Sequence, residues 1–220
     1  MGKNLFSLFL KSVCPLCGRP GEEVVCRDCT RQLQGCAWPA PAQGWRGKLP
    51  VFIWGEYGGA LKRAIAVLKY DLRPEVGDLL GQWLARDWLK SPLGKQRGLT
   101  VVPIPLHADK LKARGFNQAE AIARSFAQIT GYQLQGQGLV RVRATAALFG
   151  LSLGEREQNL KDALQIRPAW RCQQRILLVD DIYTTGTTVG EAAQVLRSAG
   201  MAVAGVAAIA GPNPASLLLR

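Results

Sequence analysis

Four cysteines, Cys14, Cys17, Cys26 and Cys29, make two Cys-x-x-Cys pairs with eight residues between them. That compact spacing suits a tetrahedral Zn²⁺ held by thiolates. Four protein ligands close the coordination sphere, so the expected role is structural rather than catalytic. Gly18 allows a tight turn after the first pair. Disulfides are the alternative, but clustered cysteines of a reducing compartment bind metal more often than they pair. Cys36 and Cys172 are spare cysteines with an expected structural role.

A second group of residues can do different chemistry. The run Arg175-Ile-Leu-Leu-Val-Asp-Asp-Ile-Tyr-Thr-Thr-Gly-Thr-Thr188 reads as a buried strand that ends in two carboxylates, Asp180 and Asp181. It then passes through a Thr/Gly turn into a helix. Backbone N–H groups of Thr184, Thr185, Gly186, Thr187 and Thr188 would converge on one point, which suits a phosphate monoester. The carboxylates beside it would accept hydrogen bonds from a sugar diol or help to hold Mg²⁺. A phosphorylated ribose has both features. Lys112, Arg114 and Gly115, followed by Asn117 at a helix start, form a basic stretch that alone reads as a solvated loop, although an anion would be favoured at that helix start. His107 is the only histidine and is given no catalytic role. No general base stands out, so the catalytic residues are left unassigned.

The elements that must position these groups alternate strand and helix. Val51 to Tyr57 reads as a strand. Leu61, Ile65 and Leu68 recur at helical spacing, and Leu79, Leu80, Trp83, Leu84 and Trp88 mark a second amphipathic helix. Thr100 to Pro105 reads as a strand, His107 to Gly115 as a polar basic loop, and a helix begins at Asn117, with Glu120 three residues on as its capping partner. Tyr132 to Arg143 fits strands, and Ala144 to Asp162 reads as a long loop, either functional or disordered. Val189 to Ala199 reads as a helix and Met201 to Ala210 as a strand, closing a parallel βαβ unit. The expected fold is α/β, with a mainly parallel central sheet flanked by helices. Trp38 to Pro50 reads as a linker, which divides the chain into residues 1–50 and 51–220.

The 220 residues carry 28 Lys+Arg against 16 Asp+Glu, a net charge of +12 that favours polyanionic partners. Residues 1–50 hold 7 basic and 3 acidic groups, whereas residues 171–220 hold 4 and 3. A general solubility surplus is the alternative reading. A hydrophobic share of 48% excludes wholesale disorder. No stretch approaches the roughly 20 apolar residues of a membrane span. Leu5 to Leu10 is too short for a signal-peptide core, so the expected location is cytoplasmic.

These segments together resemble a known family. The Asp180-Asp181 segment looks like the phosphoribosyl pyrophosphate (PRPP) signature of type I phosphoribosyltransferases, in which adjacent acidic residues contact the ribose hydroxyls and the next loop holds the 5-phosphate. Val101-Val-Pro-Ile-Pro-Leu-His107 and Lys110-Leu-Lys-Ala-Arg-Gly-Phe-Asn-Gln118 resemble the pyrophosphate-side segment of the ComF family of competence proteins, and the resemblance runs from about Phe52 to Gly211. It implies a type I phosphoribosyltransferase fold joined to a zinc knuckle, with Mg²⁺ accompanying PRPP. Thr145 to Asn159 falls where type I enzymes carry a closing loop, and Ser152, Arg156 and Asn159 resemble its positions. Leu148 stands where the family pattern has glutamine, which weakens that loop's polar contacts. The implied partners are single-stranded DNA, a competence helicase and strand-loading proteins, and type I relatives often pair as homodimers. Three functions stay open: a role in DNA uptake, transfer of 5-phosphoribose from PRPP to a nucleobase or amine with loss of pyrophosphate, and PRPP or nucleotide sensing.

Overall fold

A computed structural model describes residues 13–45, 48–143 and 163–219. Five strands form one parallel sheet: β1 (Val51–Glu56), β2 (Leu99–Pro103), β3 (Gln133–Leu134), β6 (Arg175–Ile182) and β7 (Val203–Gly211), in the order β1-β7-β6-β2-β3. A separate antiparallel pair is made by β4 (Leu139–Arg141) and β5 (Leu164–Ile166). Strands β2, β6 and β7 are apolar almost throughout because both of their faces are covered. Phe52, Trp54, Val101, Leu177 and Val179 face one core, and Val51, Ile53, Val102, Ile176 and Leu178 face the other.

The first core lies under α2 (Gly59–Tyr70), α3 (Pro74–Lys90) and α5 (Gln118–Thr130). The second lies under a helix numbered here α6 (Thr187–Ser198), with Leu139 of β4 and Leu164 of β5 beside it. Helices therefore flank a mainly parallel sheet, as the alternating pattern predicts. The tryptophans are core anchors: Trp88 is fully buried, with edge contacts to Trp45 at 5.2 Å, Phe52 at 5.3 Å and Phe126 at 5.8 Å between ring centroids.

Two expectations need amending. His107 to Gly115 is not a loop but carries helix α4 (Ala108–Arg114), N-capped by His107 Nδ1, which accepts from Asp109 N at 3.3 Å, and ended by Gly115. Lysine, leucine, alanine and arginine are good helix formers. None of the α4 residues is buried, so no apolar period marked it. The segment expected as a linker contains a 3-10 helix, Pro41–Gly44, and Trp38 N donates to Trp54 O of β1 at 2.8 Å. Glu56 N likewise donates to Cys36 O at 2.8 Å, and Ala37 bridges Gly55 in antiparallel fashion. The expected long loop of Ala144 to Asp162 lies outside the described residues, with Ser152, Arg156 and Asn159 in it.

Candidate functional site

The cysteine cluster is built from a turn and a helix start. Cys14 N donates to Arg19 O and Gly18 N to Cys14 O, each at 2.8 Å, folding the first pair inward. Helix α1 (Arg27–Gln34) has Cys26 at its N-cap and Cys29 in its first turn, so the second pair shares one face. The ion pair Arg19–Asp28, at 2.5 Å, ties the two halves. The four Sγ atoms all lie within 4.8 Å of one another, and those of Cys17 and Cys26 are 3.6 Å apart. Tetrahedral zinc with bonds of about 2.3 Å needs sulfurs about 3.8 Å apart. The set therefore fits a structural zinc knuckle. Burial pushes the Cys14 thiol up, but N–H donors of Cys26, Leu16 and Cys17 outweigh it and bring it down to about 6. Burial, hydrogen bonds to the other sulfurs and the charge of Cys14 push Cys29 up to about 12.

The carboxylate pair sits near the end of β6, at the carboxyl ends of the parallel strands, where open α/β sheets bind ligands. Successive side chains of a strand start from opposite faces, yet the two carboxyl groups stay close enough to act on one another. Asp181, 3% exposed, turns to the α2/α5 side. There Gln118 Nε2 donates to its Oδ1 at 3.0 Å, and Lys69 of α2 makes a close ion pair with its Oδ2. Asp180, half-buried, lies on the other side within reach of the charge of Arg141 on β4. Its Oδ1 accepts from Asp181 N at 2.8 Å.

Beyond β6 the chain turns at Gly186, the N-cap of α6, with φ 80°. That left-handed angle favours glycine, and a Cβ there would also displace the Tyr183 hydroxyl, 2.5 Å away. The hydroxyls of Thr185 and Thr187 lie 2.7 Å apart, and Thr184 is exposed at the turn. On the neighbouring strand end, Asn117 caps α5 through its Oδ1, which accepts from Ala119 N at 3.1 Å, and its Nδ2 donates to Ile104 O at 3.0 Å. Arg114 donates to Gln118 Oε1 in a short contact, and its guanidinium lies 6.0 Å from the Tyr70 ring centre. Asp180, Asp181, Arg114 and Asn117 thus gather at one end of the sheet, with Gly115 at the turn between α4 and α5. Lys112 is exposed on α4, outside this chain of contacts.

Sequence reasoning missed Lys69, Gln118 and Arg141. Lys69 stands four residues after Ile65 and eight after Leu61, on the packing face of α2, which was its available signal. Gln118 lies inside the quoted basic segment but carries no charge to mark it.

Desolvation and the neighbouring Asp181 charge raise the Asp180 pKa well above the ordinary carboxylate value, against the Asp181 N–H and Lys69, which lower it. The folded state therefore holds a proton that the unfolded state has released, and stability falls as pH rises through that window. Asp180→Asn removes the penalty. It is expected to raise the thermal midpoint at pH 8, by an increment that shrinks toward pH 4. A variant less stable than wild type at pH 8 would contradict this.

No protein-family profile matches the chain. The chain is 33% identical over 193 residues to DNA utilization protein YhgH of Salmonella typhimurium (strain LT2), covering 87% of this chain and 80% of that protein. It is 25% identical over 197 residues to competence protein ComFC of Bacillus subtilis, covering 86% and 73%. Among solved structures, an allosteric regulatory enzyme of purine biosynthesis covers 63% of this chain and 26% of its own, at 22% identity and a TM-score of 0.41. The YhgH likeness, spanning most of both chains and joined by the ComFC likeness and the four-cysteine cluster, is decisive: the chain belongs to the ComF family of competence and DNA utilization proteins.

Proposed function

We propose that the chain is a phosphoribosyltransferase-like protein that binds PRPP, or another phosphorylated ribose, and acts in DNA uptake by handling single-stranded DNA. The observation that carries the ligand reading is the meeting, at one strand end, of Asp180 and Asp181 with a glycine-dependent turn that opens α6. Carboxylate oxygens accept from a ribose diol, and the N–H and hydroxyl groups from Thr184 to Thr188 receive the 5-phosphate. The diphosphate lies toward Lys112, Arg114, Gly115 and Asn117, and Mg²⁺ enters as part of the Mg²⁺·PRPP ligand. Ser152, Arg156 and Asn159 are proposed to close over it. The DNA role rests on family membership, and the net charge of +12 is compatible with it.

Calorimetric titration of zinc-loaded protein with Mg²⁺·PRPP tests the ligand. Saturable binding is expected for wild type and not for Asp180→Asn/Asp181→Asn. Pyrophosphate release with a panel of bases and amines separates a transferase from a sensor. Absence of wild-type binding to PRPP and to ribose 5-phosphate would overturn the ligand reading. Affinity for a single-stranded oligonucleotide, falling steeply with salt, tests the DNA role, and no binding even at low salt would defeat it.

A further inference from the structure

Asp181 carries its own cation. Lys69 sits with its side chain only 18% exposed at the end of α2, and its partner side chain is 5% exposed. Burial alone would favour losing the proton, yet the charges of Asp181 and Asp180 keep the ammonium protonated. The arrangement is closed on itself. Gln118 is gripped from both ends, by Asp181 and by Arg114, and Arg114 reaches back to Tyr70, the residue next to Lys69.

The oxygen atoms can be accounted for. Asp181 Oδ1 accepts from Gln118, Asp181 Oδ2 faces Lys69, and Asp180 Oδ1 accepts from Asp181 N. Three of the four carboxylate oxygens are therefore committed within the protein. Mg²⁺ keeps several of its six oxygens as water and is held by one or two carboxylates with oxygens free to reach it. Here Lys69 and Arg141 already face the pair, with Arg114 close enough to act on Lys69. The residues present do not fit a resident Mg²⁺.

We infer that Lys69 is the built-in counter-cation of the acidic pair, occupying the charge position a divalent metal would take and holding the Asp181 carboxylate in place. Any Mg²⁺ then reaches the site on the ligand's diphosphate and not before it. This deepens the ribose-phosphate reading and rests on it for the ligand alone, since metal exclusion concerns the free protein.

Mn²⁺, followed by its paramagnetic resonance signal, is the probe. Zinc-loaded full-length wild type is expected to bind no Mn²⁺ that Asp180→Asn/Asp181→Asn removes. Lys69→Gln is expected to gain such binding, roughly tenfold or more tighter than wild type, and to lose it when combined with Asp181→Asn. Lys69→Arg keeps the charge and should behave as wild type. Wild-type Mn²⁺ binding abolished by the Asp180/Asp181 changes would overturn the inference, as would a folded Lys69→Gln no better than wild type. Lys69→Met replaces the glutamine variant if that one does not fold, and the wild-type titration is decisive alone. Ribose 5-phosphate titrated without metal checks the ligand separately: its failure to bind defeats the ribose reading while the Mn²⁺ result still judges Lys69.

Discussion

Cys29→Ser is expected to abolish stoichiometric zinc binding and to unfold the N-terminal segment, the largest single-residue effect anticipated for this chain. Cys29 is 3% exposed and packs with Leu16, Val25 and Leu33 in a cluster continuous with Phe52 and Trp54 of β1. Structural zinc supplies about 10–16 kcal/mol of apparent binding free energy to small knuckles at neutral pH. Such a segment has too little apolar surface to replace it. Zinc content measured with a chromophoric chelator, together with the thermal midpoint, tests this. Cys36→Ser is the control, because the Cys36 thiol donates to Gln32 O at 3.4 Å and stands outside the group of four. Equal zinc loss in both variants would refute the assigned ligand set.

Gly81→Ala is expected to be nearly as damaging to the main body. Helices α3 and α5 cross so closely that a Cβ on Gly81 would lie 2.3 Å from Ile122 O and 3.0 Å from its carbonyl carbon. Alanine improves helix propensity by about 1 kcal/mol. Overpacking costs about 1–3 kcal/mol when side chains can give way, and a backbone carbonyl cannot. The net expectation is a loss of about 2 kcal/mol or more. The same shift moves the start of α5, so Gln118 leaves Asp181 and affinity for ribose phosphate falls with stability. Denaturant unfolding measures the first effect and calorimetry the second. A variant as stable as wild type would mean that the helices part at little cost.

The strand-turn-helix from Arg175 to Ser198 was legible because an apolar run, two acids and a threonine-glycine turn each have one ready structural meaning. Four cysteines at short spacing were legible for the same reason. Strand alternation already implies that Asp180 and Asp181 face opposite ways, but what each meets depends on the sheet order, and residue spacing does not encode which helix covers which face. Lys69 was hidden because a lysine beside Tyr70, 75% exposed, reads as surface until the end of α2 is laid against the end of β6. Helix α4 was hidden for the opposite reason: with no buried face it has no period, although its residue types favour it and Gly115 stops it.

The strip from Cys36 to Trp38 lies along β1, an outer strand of the sheet, and takes up Glu56 N and Trp54 O. A bare sheet edge is a template for pairing with other chains. The strip that follows the knuckle therefore covers part of this edge, while β3, at the other end, is only two residues long. Metal loss would do more than loosen a terminus: it would expose a sticky edge, coupling zinc supply to solubility.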